Sequence, residues 1–200
     1  MKRLTQHDLK RMRGELFFEG PEEGRRLSRF WLLLPLSAVI AAAGVVSDST
    51  ATVIGAMIVA PLMTPILGIV LAVAIGDGPN LRRSVLMVFG GAAAVVALSW
   101  VLGLFVPYPV VAATSSQVAS RISPRIVDLV AALATGAVGS VALARSDISD
   151  TLPGVAIAIS LVPPLAVVGL TLESGAPSQA FGSLLPSLPT WSPSWPAASS

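Results

Sequence analysis

The sequence of 200 residues contains no cysteine and a single histidine, His7. Without cysteine the chain can form no disulfide, no thiolate nucleophile and no cysteine-ligated metal site. It also lacks a glycine-rich phosphate-binding loop, and its one histidine lies in a polar amino-terminal segment. An enzyme needs a nucleophile, an acid–base pair or a metal cluster at its site. We therefore expect no catalytic activity, no metal and no cofactor.

Charged residues are scarce as well, at 12% of the chain, whereas 54% of residues are hydrophobic and the mean hydropathy is +0.79. A helix needs roughly 20 apolar residues to cross a bilayer core about 30 Å thick. Five apolar stretches meet or approach that length, at about residues 30–46, 51–75, 84–106, 126–144 and 152–172. The sequence therefore predicts an all-α, polytopic helical membrane protein with five spans, between a basic leader (residues 1–29) and a tail (residues 173–200).

The leader holds eight of the 13 lysines and arginines. Beside an apolar stretch, this charge is a topology signal rather than a nucleic-acid arm, so we expect a cytoplasmic amino terminus and no nucleic-acid partner. At 29 residues the leader is longer than the basic region of a signal peptide, which indicates an uncleaved anchor. Its apolar residues suit a short amphipathic helix that contacts anionic lipid, a solvated leader being the alternative: Leu9, Met12, Leu16 and Phe17.

Two of the five stretches carry paired prolines, Pro61 and Pro65 in the second and Pro163 and Pro164 in the fifth. A proline inside a helix removes a backbone donor and clashes with the preceding turn, so we expect both spans to be broken or kinked. These two spans cross the membrane in opposite directions. That arrangement suggests an inverted three-plus-three repeat of six spans, a pattern of secondary transporters with sites at the membrane midplane. The alternative is that the prolines only kink helices for packing.

The predicted substrate or ion path consists of residues at the two breaks and one carboxylate: Asp48, Pro61, Thr64, Pro65, Ser160, Pro163 and Pro164. Carbonyl groups freed by proline, together with the hydroxyls of Thr64 and Ser160, can bind a cation or a polar solute. Asp48 lies at the end of the first stretch. It is a proton or cation contact, or else it faces water or caps a helix.

The tail is rich in proline, serine and tryptophan and shows no helical period, which predicts a flexible segment. Codons for its last part, read in a shifted frame, allow an apolar string. We hypothesise that the tail is the frameshifted remnant of a sixth span, and sequencing of the gene tests this.

Three segments and a short link resemble the bacterial and archaeal membrane family called domain of unknown function 389. They are VIGAMIVAPLMTPILGIVLAVAIGD (53–77), LRRS (81–84), SPRIVDLVAALATGAVGSVALAR (123–145) and LPGVAIAISLVPPLAVVGL (152–170). The resemblance covers roughly residues 30–172 and implies a multi-pass protein of the cell (inner) membrane. It also implies a sixth span with a Thr-Asn pair, which this chain lacks in frame. The family has no settled biochemical function.

Two classes of function remain open at this point. The broken spans favour a secondary transporter or channel-like protein, whereas the small residues of the third and fourth stretches favour a structural or assembly subunit, and a truncated product would be inactive. The same small residues predict a homo-oligomer within the lipid bilayer: Gly90, Gly91, Gly136 and Gly139.

Overall fold

The computed structural model describes residues 16–17, 23–122, 130, 133–134, 137–138 and 161–184. Every regular element in that part of the chain is a helix, which confirms the predicted all-α class. We number these helices α1 (Glu23–Val46), α2 (Thr50–Val59), α3 (Met63–Ile75), α4 (Gly78–Gly103), α5 (Ser116–Ile122), α6 (Val162–Glu173) and α7 (Pro177–Leu184).

Helix α1 begins at Glu23, seven residues before the predicted span 30–46. Polar residues end an apolar stretch but do not end a helix, and Glu23 in the first turn suits the positive end of the helix dipole. Pro35 therefore lies in the middle of a continuous helix of 24 residues, and not near its start. The span itself, 30–46, lies within α1.

The second apolar stretch is broken, as its prolines predict. Helix α2 ends at Val59, α3 begins at Met63, and their axes differ by 52°. The residue before a proline is disfavoured in the helical region. Ala60, which precedes Pro61, accordingly has the extended angles φ −62° and ψ 124°. The bend thus follows from a local steric effect of Pro61.

Helix α4 follows α3 after a turn of two residues. Gly76 adopts a left-handed conformation with φ 70°, which glycine tolerates without steric cost, and it closes α3. Asp77 then caps α4 by accepting a hydrogen bond from the Asn80 amide at 3.3 Å. The helix begins at Gly78, six residues before the predicted span 84–106, so Arg82 and Arg83 lie inside it.

Helix α6 is the most buried helix of the described bundle and contacts α1, α2, α4 and α7. Its 12 residues rise only about 18 Å, which is shorter than a bilayer core. Small residues bring it against α4: a Cβ added at Gly169 would lie 2.5 Å from the Val96 carbonyl oxygen and 2.7 Å from Ser99 Cβ. Gly169 is therefore a point where two backbones almost touch.

The segment after α4 is hydrogen-bonded to the carboxyl end of α6 and to α7. The Val110 amide donates to Ser174 Oγ at 2.8 Å, and the Ala112 amide donates to Gln179 Oε1 at 2.9 Å. Gln179 belongs to α7, which packs on α5 and α6. Residues 177–184 thus differ from the flexible tail predicted for 173–200, because burial of Ala180 and Ser183 gives this part a tertiary partner.

Within the described residues, α1 and α4 are long and apolar enough to cross a membrane. The bent pair α2–α3 makes a third span if it is counted as one. Large apolar side chains face outward on all three, including Leu32, Ile58, Val73 and Phe89. Most of the predicted fourth span and residues 152–160 of the fifth lie outside the described residues. Five spans and the three-plus-three repeat therefore stay predictions.

Candidate functional site

A cavity of about 190 Å³ opens beside the break between α2 and α3. It is lined by side chains from the start of α1, from the break and from the leader: Leu16, Phe17, Arg26, Arg29, Phe30, Pro61 and Thr64. A cavity needs only about 10–15 Å³ to hold one water molecule, so this space has room for several. It is thus large enough for a small solute or a single polar group.

The two prolines remove backbone donors around this cavity. Pro61 has no N–H to donate to the Met57 carbonyl, and Pro65 has none for the Pro61 carbonyl. Leu62, the residue that caps α3, makes no side-chain hydrogen bond to the first turn. The break therefore offers both carbonyl acceptors and first-turn amide donors. Thr64 adds a hydroxyl that can donate or accept a hydrogen bond.

Arg26 and Arg29 are the cavity residues that the sequence analysis missed. They lie three residues apart on α1, and positions at that spacing share one face of a helix. Their spacing is visible in the sequence, but the predicted boundary at residue 30 separates both arginines from the first span. Once α1 is seen to begin at Glu23, both guanidinium groups belong to the same rigid helix as Phe30.

The prolines of α6 lie at its amino-terminal end, where they cost little because first-turn amides have no partner within the helix. Pro163 is buried and Pro164 is half-buried. The neighbouring Val162 belongs to the same buried cluster as Leu62 of the α2–α3 break. The structure thus brings the two proline sites to one apolar cluster. Ser160 lies outside the described residues.

Pro65 is fully buried in the first turn of α3, one residue after Thr64. Of the predicted path residues, Pro61 and Thr64 line the cavity together. Among the described residues, no group of three or more histidine, aspartate or glutamate side chains is placed to hold a metal ion.

Asp48 lies at the other end of α1, about 25 Å along the helix from Arg29. Its Oδ1 accepts hydrogen bonds from Ser115 Oγ at 3.1 Å, Ser116 Oγ at 2.9 Å and the Gln117 amide at 3.1 Å. Gln117 in turn donates to Thr50 Oγ1 at 2.8 Å. Asp48 therefore fastens the α1–α2 turn to the start of α5, which matches the helix-cap alternative of the sequence analysis. The structure does not bring it to the cavity.

The environment of Asp48 makes its interaction with α5 dependent on pH. The amide of Gln117, followed by the hydroxyl of Ser116, lowers the pKa of the Asp48 carboxyl below its ordinary value. A carboxyl with a lowered pKa in the folded state stabilises the fold above its unfolded pKa, and this contribution is lost as the pH falls through the lowered value.

We expect the melting temperature of the protein in detergent to fall on acidification below about pH 4 more steeply than that of the Asp48→Asn variant. Asparagine tolerates the left-handed φ of 51° at this position and keeps one acceptor oxygen, so the substitution isolates the charge. Melting curves between pH 7 and pH 3 measure the difference. If the difference in melting temperature between the two proteins is the same at pH 7 and at pH 3, the charge of Asp48 does not stabilise the fold.

Comparison with known proteins supports the expected family. The model of a family described as "Domain of unknown function (DUF389)" matches residues 57–188, which include the α2–α3 break and all of α6 and α7. An uncharacterised protein of Methanocaldococcus jannaschii is 34% identical over 154 residues, which are 77% of this chain and 47% of the relative. The chain thus spans about half the length of that relative. No solved structure matches the chain significantly. The resemblance seen in the sequence is therefore confirmed, and the chain belongs to the DUF389 family.

Proposed function

We propose that the protein is an integral, multi-pass membrane protein that moves a small solute or ion across the cell membrane, with the α2–α3 break as part of its path. The observation that carries the proposal is the 52° bend at Pro61 beside a cavity lined by Pro61 and Thr64. Non-helical backbone at membrane depth is tolerated where it is buried in protein or lines a water-filled cavity. Broken helices of this kind hold the substrate sites of secondary transporters.

The topology that goes with this proposal places the amino terminus in the cytoplasm. Charges support it, because Glu23 and Arg83 form an ion pair that puts the starts of α1 and α4 at one end of the bundle. We call this the basic end, since it also carries Arg25, Arg26 and Arg29. By the positive-inside rule, the basic end faces the cytoplasm. No catalysis, cofactor or nucleic-acid partner forms part of the proposal.

A second candidate is a structural or assembly subunit without transport. It is favoured by an apolar groove of about 730 Å³ on the outer face of α4, where small side chains lie between larger ones: Phe89, Ala92, Ala93, Val96, Ala97, Trp100, Val101 and Leu172. Small residues allow close helix contacts in membranes. A homo-oligomer fits either candidate.

Flux through liposomes separates the two candidates. We expect the reconstituted full chain to move at least one solute from a panel of monovalent cations, protons, chloride and phosphate. Pro61→Ala should abolish this flux, because an amide at position 61 can again donate to the Met57 carbonyl and the steric reason for the extended conformation of Ala60 is removed. Pro35→Ala is the matched control, since Pro35 lies in a helix that is already continuous, and it should leave flux within about twofold.

Two results would contradict transport through this break. If no member of the panel moves, or if Pro61→Ala carries flux as well as Pro35→Ala does, the break is not part of a path. The assembly candidate would then be the better account of the fold.

A further inference from the structure

We propose that the cavity at the α2–α3 break is a binding site for a phosphate group, held by Arg26, Arg29 and Thr64. The inference rests on the proposed function only in that both place the ligand in this cavity. Binding can be measured without transport, so a failure of binding and a failure of flux are separate results.

The first support is the charge of the lining. Two of its described side chains are guanidinium groups and none is a carboxylate. Arginine is always protonated, and its planar fork of N–H donors matches the oxygens of phosphate. A guanidinium carries five donors, so each arginine can keep other partners and still donate to a ligand. The cavity therefore favours an anion over the cation that the freed carbonyls alone would suggest.

The second support is the position of the break relative to these arginines. Pro61 and Thr64 line the cavity and flank the start of α3, whose first-turn amides have no partner within the helix. These amides and the helix dipole both favour negative charge at that point. Two cationic side chains of α1 and the positive end of α3 thus line the same space, and all of them favour an anion as the ligand.

The third support is the size and shape of the space. At about 190 Å³ it admits a tetrahedral oxyanion with part of its hydration shell. Phe17 and Phe30 form an apolar wall beside the arginines. One phosphate oxygen can therefore remain esterified to an apolar group. A free phosphate ion and the headgroup of an anionic lipid share the chemistry that this site recognises.

Binding to the purified full chain tests the proposal, with the two sources in separate arms. The first arm titrates inorganic phosphate into protein in non-ionic detergent, against chloride at equal ionic strength, and follows the melting temperature. The second arm compares nanodiscs of phosphatidylglycerol with nanodiscs of phosphatidylcholine. We expect stabilisation by phosphate if the ligand is a free ion, and by phosphatidylglycerol alone if it is a lipid headgroup.

The variants distinguish the cavity from general surface charge. Arg26→Gln with Arg29→Gln should weaken binding by about a hundredfold, since a hydrogen bond to a charged group contributes about tenfold or more per residue. The control, Arg25→Gln with Arg82→Gln, removes the same charge from the same end outside the cavity and should change binding by less than about threefold. Thr64→Val removes only the hydroxyl at constant shape and should cost about threefold to tenfold.

Two results would overturn the proposal. One is a melting temperature that neither phosphate nor phosphatidylglycerol raises above its chloride or phosphatidylcholine control. The other is equal binding by the Arg26→Gln/Arg29→Gln and Arg25→Gln/Arg82→Gln proteins. If the cavity variant fails to fold, as judged by gel filtration, Thr64→Val decides alone, and unchanged binding in that variant counts against the site.

Discussion

Gly169→Ala is expected to destabilise the protein by about 3 kcal/mol, the upper end of the cost of overpacking a close contact. The added Cβ would lie 2.5 Å from the Val96 carbonyl oxygen and 2.9 Å from the Trp100 amide nitrogen. Both atoms belong to the backbone of α4, so no side chain can rotate away. Helix α6 must move as a whole, and it also contacts α1, α2 and α7. Thermal unfolding in detergent, read by circular dichroism, measures the loss.

The same substitution at Gly55 is the control for Gly169→Ala. Nothing lies within 4 Å of a Cβ added at Gly55, and the residue is in the interior of α2. Alanine there should stabilise the helix by up to about 1 kcal/mol. If Gly169→Ala unfolds at the temperature of the unmodified protein, the close contact between α4 and α6 does not exist.

A second site tests the same contact from the side of α4. The third close atom at Gly169 is Ser99 Cβ, at 2.7 Å. The hydroxyl of Ser99 is buried without a hydrogen-bond partner among the described residues. Adding Ser99→Gly to Gly169→Ala should therefore recover part of the loss. The second substitution cannot restore the full stability, because the added Cβ still lies too close to the backbone atoms of Val96 and Trp100.

Replacing both Pro61 and Pro65 with alanine is expected to join α2 and α3 into one continuous helix. Proline in a helix interior costs about 3 kcal/mol relative to alanine. In the double variant the free energy of a continuous helix is therefore lower by about 6 kcal/mol than it would be with both prolines present. It also removes the steric reason for the extended conformation of Ala60. Because the axes now differ by 52°, straightening should lengthen the distance from residue 54 to residue 73 by about 3 Å.

Spin labels can measure this change, since the chain has no native cysteine and labels at two introduced cysteines are unique. Ile54 and Val73 are suitable positions because 42% and 64% of their surfaces are exposed. Pro65→Ala alone should keep the bend, since Pro65 lies in the first turn of α3, where its missing N–H has no intrahelical partner. Pro35→Ala should also leave the distance unchanged. An unchanged distance in the double variant would mean that packing, and not proline, makes the bend.

Local features of the fold were readable from the sequence because their causes are local. Pro61 acts on its own neighbour, Ala60, so the break between α2 and α3 is fixed within one turn of the chain. The predicted break of the fifth span stays a prediction, because residues 152–160 lie outside the described residues. The apolar length of the first three stretches likewise predicted where helices would lie. The starts of the first and third were misplaced, because a helix continues through polar residues such as Arg26 and Arg82 that end an apolar stretch.

The helical class, the position of the Pro61 break and the family could therefore be predicted from the sequence, since each depends on residues that are close together in the chain. The contacts between distant residues could not be predicted in the same way. Asp48 bonds to residues 67 to 69 positions away, and Arg29 lines a cavity with Thr64 of another helix. Helical periodicity predicts which face of a helix is buried, but not which other helix packs against that face. The partner is chosen by side-chain volume and close contacts such as that of Gly169, which exist only once the helices pack.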